Sequence, residues 1–405
     1  MDDKNQSQIN FSVRKFIQFI LLSFSLILYF LLDLTVNTVS QVNYYFLIIT
    51  PVYFIYFYFL HITLNQKWGK LLAWVWFLGF GLVARLLFIN DVPLYENVFY
   101  NFVCKIHSSI TTTEIIILKL SLLLVEILFV VILIKIMDYF KISRYRLTIF
   151  LLNPLVIIET YYYANIEIVG LLFFWAAIYL FYRKLDRSSF ILFLGSSGTN
   201  IIYLFSMVAF VFRKYKSRII ILFVAVLLIM LILNSRYILL VSGFISRPEW
   251  LSVNGVLYQM IYLFGKTVNL DLSNSGAMTS INGAGIYYIL LVFILSLIIV
   301  FDQLRKVQTT SAFRSVNYLQ VSFIISCSFI LCIPVLQTHF LIIIIPFLIF
   351  FPAWSWIWFT FLIQFIYFDI PEDGSGLLLL FYVPFIVLLI FEVLDKRKIK
   401  GWFLK

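Results

Sequence analysis

The chain is poor in charge: 12% of its 405 residues are Asp, Glu, Lys or Arg, against 63% that are hydrophobic. Cysteine is scarce. Cys104, Cys327 and Cys332 stand in apolar surroundings, and they form neither a disulfide framework nor a metal-ligand spacing. A glycine-rich nucleotide-binding motif is missing. Ionisable residues are few inside the apolar runs, which argues against ion transport. The first apolar run, residues 16–34, lacks a small-residue cleavage site and is longer than a signal-peptide core, so it reads as a retained helix.

What is present is long apolar runs. Several exceed the ~18 residues that a helix needs to cross a hydrocarbon core of ~30 Å. Only helices or closed barrels satisfy the backbone in lipid, and continuous apolar runs exclude a barrel. The expectation is an all-α membrane protein. It would be one multi-spanning domain over residues 1–405, a polytopic helical bundle of about 12–13 transmembrane segments. The net charge of +11 does not point to nucleic acid, because the basic residues cluster in short loops between apolar runs.

The positive-inside rule then orders the chain. Lys4, Arg14 and Lys15 place the start in the cytoplasm, and residues 71–89 cross outward, bringing Arg85 near the outer surface. Residues 90–113 form an outer loop, and 114–137 cross inward with Lys119 and Glu126 on one helical face, expected as a bundle-facing pair. Residues 147–158 go out, and 167–182 come back to Arg183, Lys184 and Arg187. Residues 188–212 are too few for two full crossings, so the Gly195-Ser-Ser-Gly-Thr-Asn200 break suggests two short helices meeting in the bilayer. Residues 234–283 form a second extracytoplasmic loop, and 318–335 cross outward to Gln337-Thr338-His339. Residues 340–351, 354–370 and 377–394 complete the bundle, and both termini are expected in the cytoplasm.

One stretch departs from this oily background. Residues 153–170 place Glu159, Glu167, Asn153 and Asn165 between apolar runs on both sides. A carboxylate at membrane depth costs a few kcal/mol unless it faces water, a partner or a protein cavity. The stretch reads either as a polar site near a membrane surface or as the wet ends of two helices joined by a Tyr-rich turn.

Its spacing resembles the Asn-Pro…Glu…His-x-(Asp/Glu)-Gly segment of bacterial polyprenyl-phosphate-dependent mannosyltransferase-like proteins, multi-spanning glycosyltransferases of the GT-C class. Asn153, Pro154, Glu159, Glu167 and Gly170 are in register with it, while Asn165 replaces the usual His. Pro93 and Phe99-Tyr100 align with the family's first outer loop, but Val98, Asn101 and Lys105 stand where it has an acid, an Arg and an Asp. Asn254-Gly-Val-Leu-Tyr258 loosely matches a further segment, and Thr338-His339 matches the start of another. Asn200 stands where the family often has Lys.

The resemblance implies a GT-C-like fold in a bacterial inner membrane. It implies transfer of mannose or a similar hexose from a polyprenyl-phosphate donor to a glycan or lipid acceptor on the outer face. Such chemistry needs a carboxylate to take the acceptor's proton, and Glu96 is the first candidate, with Asp91 second. It also needs a cation or a divalent metal at the leaving phosphate. Arg247 or Arg85 would serve there, with His339, Glu159, Asn165 and Glu167 toward the substrate. No cofactor is otherwise implied. A non-catalytic flippase or export component, or an inactive relic of the same fold, is the alternative.

Overall fold

The structure is a computed structural model. It describes residues 112–162, 165–200, 252–254, 314–332, 335–363 and 375–394, with single positions 82, 85, 86, 202, 203, 206, 207 and 210. Helix α1, Thr112–Tyr139, has 28 residues and no glycine or proline, so it extends about 42 Å. It is turned inside out relative to a helix in water. Lys119 is 0% exposed and Glu126 is buried, whereas Ile117, Leu120, Leu124, Ile127, Leu128 and Val131 face outward, Leu124 at 60%. Over Ile116–Tyr139 it is long and apolar enough to cross a membrane, and among the described residues it is the one helix that meets both conditions.

Residues 147–158, expected to run outward, are divided into short elements. The chain makes a 3₁₀ turn at Arg144–Leu147, then α2, Thr148–Leu151, and α3, Pro154–Ile157. Pro154 has no N–H to continue the ladder, and its ring pushes the preceding residue out of the helical region. Asn153 is accordingly extended at φ −66°, ψ 117°. Its Oδ1 accepts from Leu155 N at 3.0 Å, starting α3 with proline in the first turn. A π-helical turn, Ile158–Tyr162, follows directly.

Helix α4, Glu167–Tyr182, returns and pairs with α5, Asp186–Ser197, and α1 packs on α4. The expected break at 195–200 is present. Helix α5 stops at Ser197, and Asn200 Oδ1 accepts from Ile202 N at 3.0 Å where helical backbone resumes. Helix α6, Arg314–Cys332, is held to residue 206 by hydroxyls. Ser322 Oγ donates to Ser206 O at 2.8 Å, and the Ser206 and Ser326 hydroxyls lie 2.5 Å apart.

Strands β1, Ser252–Asn254, and β2, Val335–Gln337, pair antiparallel with Val253 opposite Leu336. That three-residue ladder is the one departure from helix among the described elements. After it come α7, Thr338–Ile342, and α8, Ile345–Phe350, divided by a turn at residues 343–344 with Pro346 opening the second. Then follow α9, Trp354–Leu362, and α10, Ser375–Leu394. Glu392 of α10 caps α9, accepting from Trp354 N at 2.6 Å and from Ser355 Oγ at 2.5 Å. In the core, Trp175 stacks on Phe350 at 5.3 Å and 16°. Most of the spans expected before residue 112, the outer loop at 90–111 and most of 234–283 lie outside the described residues.

Candidate functional site

The π-helical turn at Ile158–Tyr162 joins two buried polar networks. It widens the helix by one residue per turn, and that extra residue re-aims the side chains after the Asn153–Pro154 break. Glu159 leaves it on one side and Tyr161 on another.

Glu159 is 0% exposed. Its Oε1 accepts from Thr338 Oγ1 at the start of α7, and its Oε2 accepts from Asn165 Nδ2 at 3.1 Å. Asn165 closes the loop a second time, donating its backbone N–H to Glu159 O at 2.9 Å. Its Oδ1 accepts from Glu167 N at 3.1 Å, which starts α4. Asn200 Nδ2 lies 3.4 Å from Glu167 Oε2, so the break after α5 reaches the same cluster. Four separate pieces of chain therefore meet: the π turn, the α4 start, the α5 break and the α7 start. His339 follows Thr338, half-buried, with its ring 4.4 Å from Phe340. Since β2 runs directly into α7, the β1 pairing also brings 252–254 to the strand that leads into Thr338.

On the other side, Tyr161 Oη donates to Glu126 Oε2. Arg85 fills that second network. Its Nη2 is 2.6 Å from Glu126 Oε1, its Nε 2.9 Å from Oε2, and its Nη1 donates to Leu151 O at 2.8 Å. The guanidinium also stands 5.6 Å from the Tyr161 ring centre. Arg85 was expected near the outer surface, where it would meet a phosphate. It is 2% exposed, with its guanidinium on the Glu126 carboxylate and the Leu151 carbonyl. Glu126 was expected to face into the bundle with Lys119. Both are buried, and the Glu126 carboxylate is taken by Arg85 and Tyr161.

Of the residues singled out from sequence, Glu159, Asn165 and Glu167 are brought together, with His339 one residue from the shared Thr338. Glu96, Asp91 and Arg247 lie outside the described residues. Thr338, Asn200 and Tyr161 acquire roles that their spacing did not announce. The family-like spacing had marked Thr338 and Asn200 as positions, and nothing in the sequence marked Tyr161 as the partner of Glu126. Among the described residues no three His, Cys, Asp or Glu side chains converge as a metal site. Chemically, the Glu159 cluster is a buried carboxylate–amide assembly with a donor on each Glu159 carboxylate oxygen. It sets the relative positions of four segments and keeps polar atoms inside an apolar bundle.

No family model, curated protein or solved structure matches the chain.

Proposed function

We propose that the chain is a multi-spanning membrane glycosyltransferase that moves mannose or a similar hexose from a polyprenyl phosphate to an acceptor at the outer face of the membrane. One observation carries this reading: Glu159, Asn165, Glu167, Asn200 and Thr338, from the polar segments singled out in the sequence, come together as one buried cluster although the bonded pair Glu159 and Thr338 lie 179 positions apart. The outward aliphatic stripe of α1 supports the bilayer as surroundings, since water would penalise Leu124, Leu128 and Val131 in that position.

In this reading Glu96, or Asp91, removes the proton from the acceptor hydroxyl as its oxygen attacks the anomeric carbon. The bond from that carbon to the lipid phosphate breaks, and the phosphate leaves with the electron pair. Arg247 meets the departing charge, where a bound divalent metal would supply the same neutralisation of the phosphate, and His339 contributes at the sugar or phosphate. The Glu159–Asn165–Glu167 cluster positions the segment that carries His339. Arg85, bound to Glu126, acts as a positioning residue.

The test is transfer of radiolabelled mannose from polyprenyl-phosphomannose in membranes containing the chain, beside Glu96→Gln. Transfer lost in Glu96→Gln identifies the base. Transfer that survives moves the base to Asp91, Glu159 or Glu167.

A second reading, a non-catalytic handler of lipid-linked glycans, is favoured by one observation: Lys119, Glu126 and Arg85 put three buried charges at or beside the long helix α1. Absence of transfer from every lipid-linked hexose tried would leave this reading in place.

A further inference from the structure

A cleft between the C-terminal ends of α1 and α4 is separate from the Glu159 cluster. It holds about 440 Å3 and is lined by Lys135, Asp138, Tyr139, Tyr179, Tyr182 and Arg183, together with Ile136. Its charge is unbalanced. Asp138 is already engaged by Arg144, with Nε 3.0 Å from Oδ1 and Nη2 2.8 Å from Oδ2. Lys135 and Arg183 have no carboxylate partner among the described residues.

Tyr179 holds both cations in place. Lys135 Nζ is 5.8 Å and the Arg183 guanidinium 5.4 Å from its ring centre. Arg183 Nε donates to Tyr179 Oη at 3.2 Å, which orients the guanidinium and uses only one of its nitrogens. Two planar Nη groups beside an ammonium suit a phosphate, which guanidinium binds through paired hydrogen bonds. Tyr139 and Tyr182 stack at 5.4 Å along the wall, the residue type that gathers at headgroup depth.

The apolar approach distinguishes a lipid from a free ion. Leu124, Leu128 and Val131 are exposed on α1. They stand eleven, seven and four residues before Lys135 and so share its helical face. An acyl chain laid along that stripe ends with its phosphate at Lys135.

We infer that this cleft binds the phosphate of an anionic phospholipid whose acyl chains run along the Leu124–Leu128–Val131 stripe. The inference rests on the membrane-spanning part of the proposed function and not on the transferase chemistry, so an inactive protein tests it equally well. Purified full-length chain in detergent micelles is titrated with phosphatidylglycerol, phosphatidylcholine or inorganic phosphate, and bound lipid is counted by native mass spectrometry.

Phosphatidylglycerol should be retained over phosphatidylcholine, less so as salt is raised. Lys135→Gln with Arg183→Gln should weaken that preference roughly thirtyfold, the scale set by two cations near an anionic surface. Equal retention of both lipids, or a preference unmoved by the double substitution in a folded protein, would overturn the inference. So would displacement by inorganic phosphate alone, which would make the ligand a free anion. If the double variant does not fold, the salt series on the unaltered protein decides: salt-independent retention also overturns it. Recovery of the chain in the soluble fraction would remove the membrane reading and the lipid site together.

Discussion

Arg85 grips Glu126, 41 positions along the chain, through two parallel contacts, Nη2 to Oε1 at 2.6 Å and Nε to Oε2 at 2.9 Å. Both side chains are almost fully buried, at 2% and 3% exposure. The pair is closed by Tyr161 and by the Leu151 carbonyl at the end of α2. It therefore connects α1, the broken segment before α4 and the helical residues 85 and 86. Such a pair loses hydration from both charges, so its value lies in geometry more than in net stability.

Removing one partner should show this. Glu126→Ala leaves a buried guanidinium without its carboxylate, and we expect a loss of roughly 3–5 kcal/mol. Replacing both, as Arg85→Met with Glu126→Leu, should recover most of that loss, since well-packed apolar substitutes are often neutral or better. Thermal unfolding of detergent-solubilised protein measures the difference. A double variant as unstable as Glu126→Ala would show that the charges themselves are required.

The Thr338–Glu159 contact makes a second prediction. It joins the π turn to the start of α7, and both groups are buried. Thr338→Val keeps the shape and strips the donor, at an expected cost of about 1–3 kcal/mol for a carboxylate oxygen left without it. Glu159→Gln alters the same contact from the other side. In a double-mutant cycle the two should be non-additive, with a coupling of about 0.5–3 kcal/mol. Additive effects would mean that the hydroxyl and carboxylate do not share a bond.

How much of this was legible in the sequence follows from the range of each interaction. The helical class, the extent of α1 and the break near residues 195–200 depend on neighbouring residues, and composition and spacing expose them. The Asn153–Pro154 break was equally local, and proline chemistry predicts it, yet the long apolar run around it read as one crossing. The Arg85–Glu126 pair was hidden because Lys119 offers Glu126 a nearer cation on the same face, whereas the actual partner comes from another segment. The π turn had no signal, since a widened turn differs from an ordinary one by one hydrogen-bond register. In the candidate site, the residue types at 159, 165 and 167 announced polarity, but the long-range contact to Thr338 is a property of the folded chain alone.

Gly170 supplies a third prediction, and here a family-like motif position has a packing reason. A Cβ at Gly170 would meet Thr199 Oγ1 and come 2.7 Å from Tyr203 Cε2. Helix α4 and the break after α5 are thus closer at this point than any side chain allows. Gly170→Ala should cost roughly 1–3 kcal/mol, the range for forcing a methyl group into a filled core. Adding Thr199→Ala removes the nearer obstacle and should return part of the loss, while the Tyr203 ring remains in the way. Unfolding temperatures for the two variants check this. A Gly170→Ala protein of unchanged stability would show that the two segments separate easily.

Lys141 and Lys184 end α1 and α4 in the same way. Both adopt left-handed backbone, at φ 55° and 63°. Beyond each, the chain closes with a long backbone bond, Ile142 N to Met137 O at 2.8 Å and Leu185 N to Leu180 O at 3.0 Å. This is the helix ending that glycine usually provides, because a Cβ there crowds the following carbonyl. Lysine bears that strain at both positions, and both side chains are exposed, so no packing compensates it. Lys141→Gly and Lys184→Gly should each leave stability unchanged or raise it by up to ~1 kcal/mol, the relief of strain being partly offset by the freer unfolded chain. The same glycines inside α1 or α4 would cost about that much instead. Unfolding midpoints of the two single variants measure the effect. A clear loss in either would mean that the ammonium contributes more at the helix end than the strained backbone costs, as a cation facing the negative end of the helix dipole does.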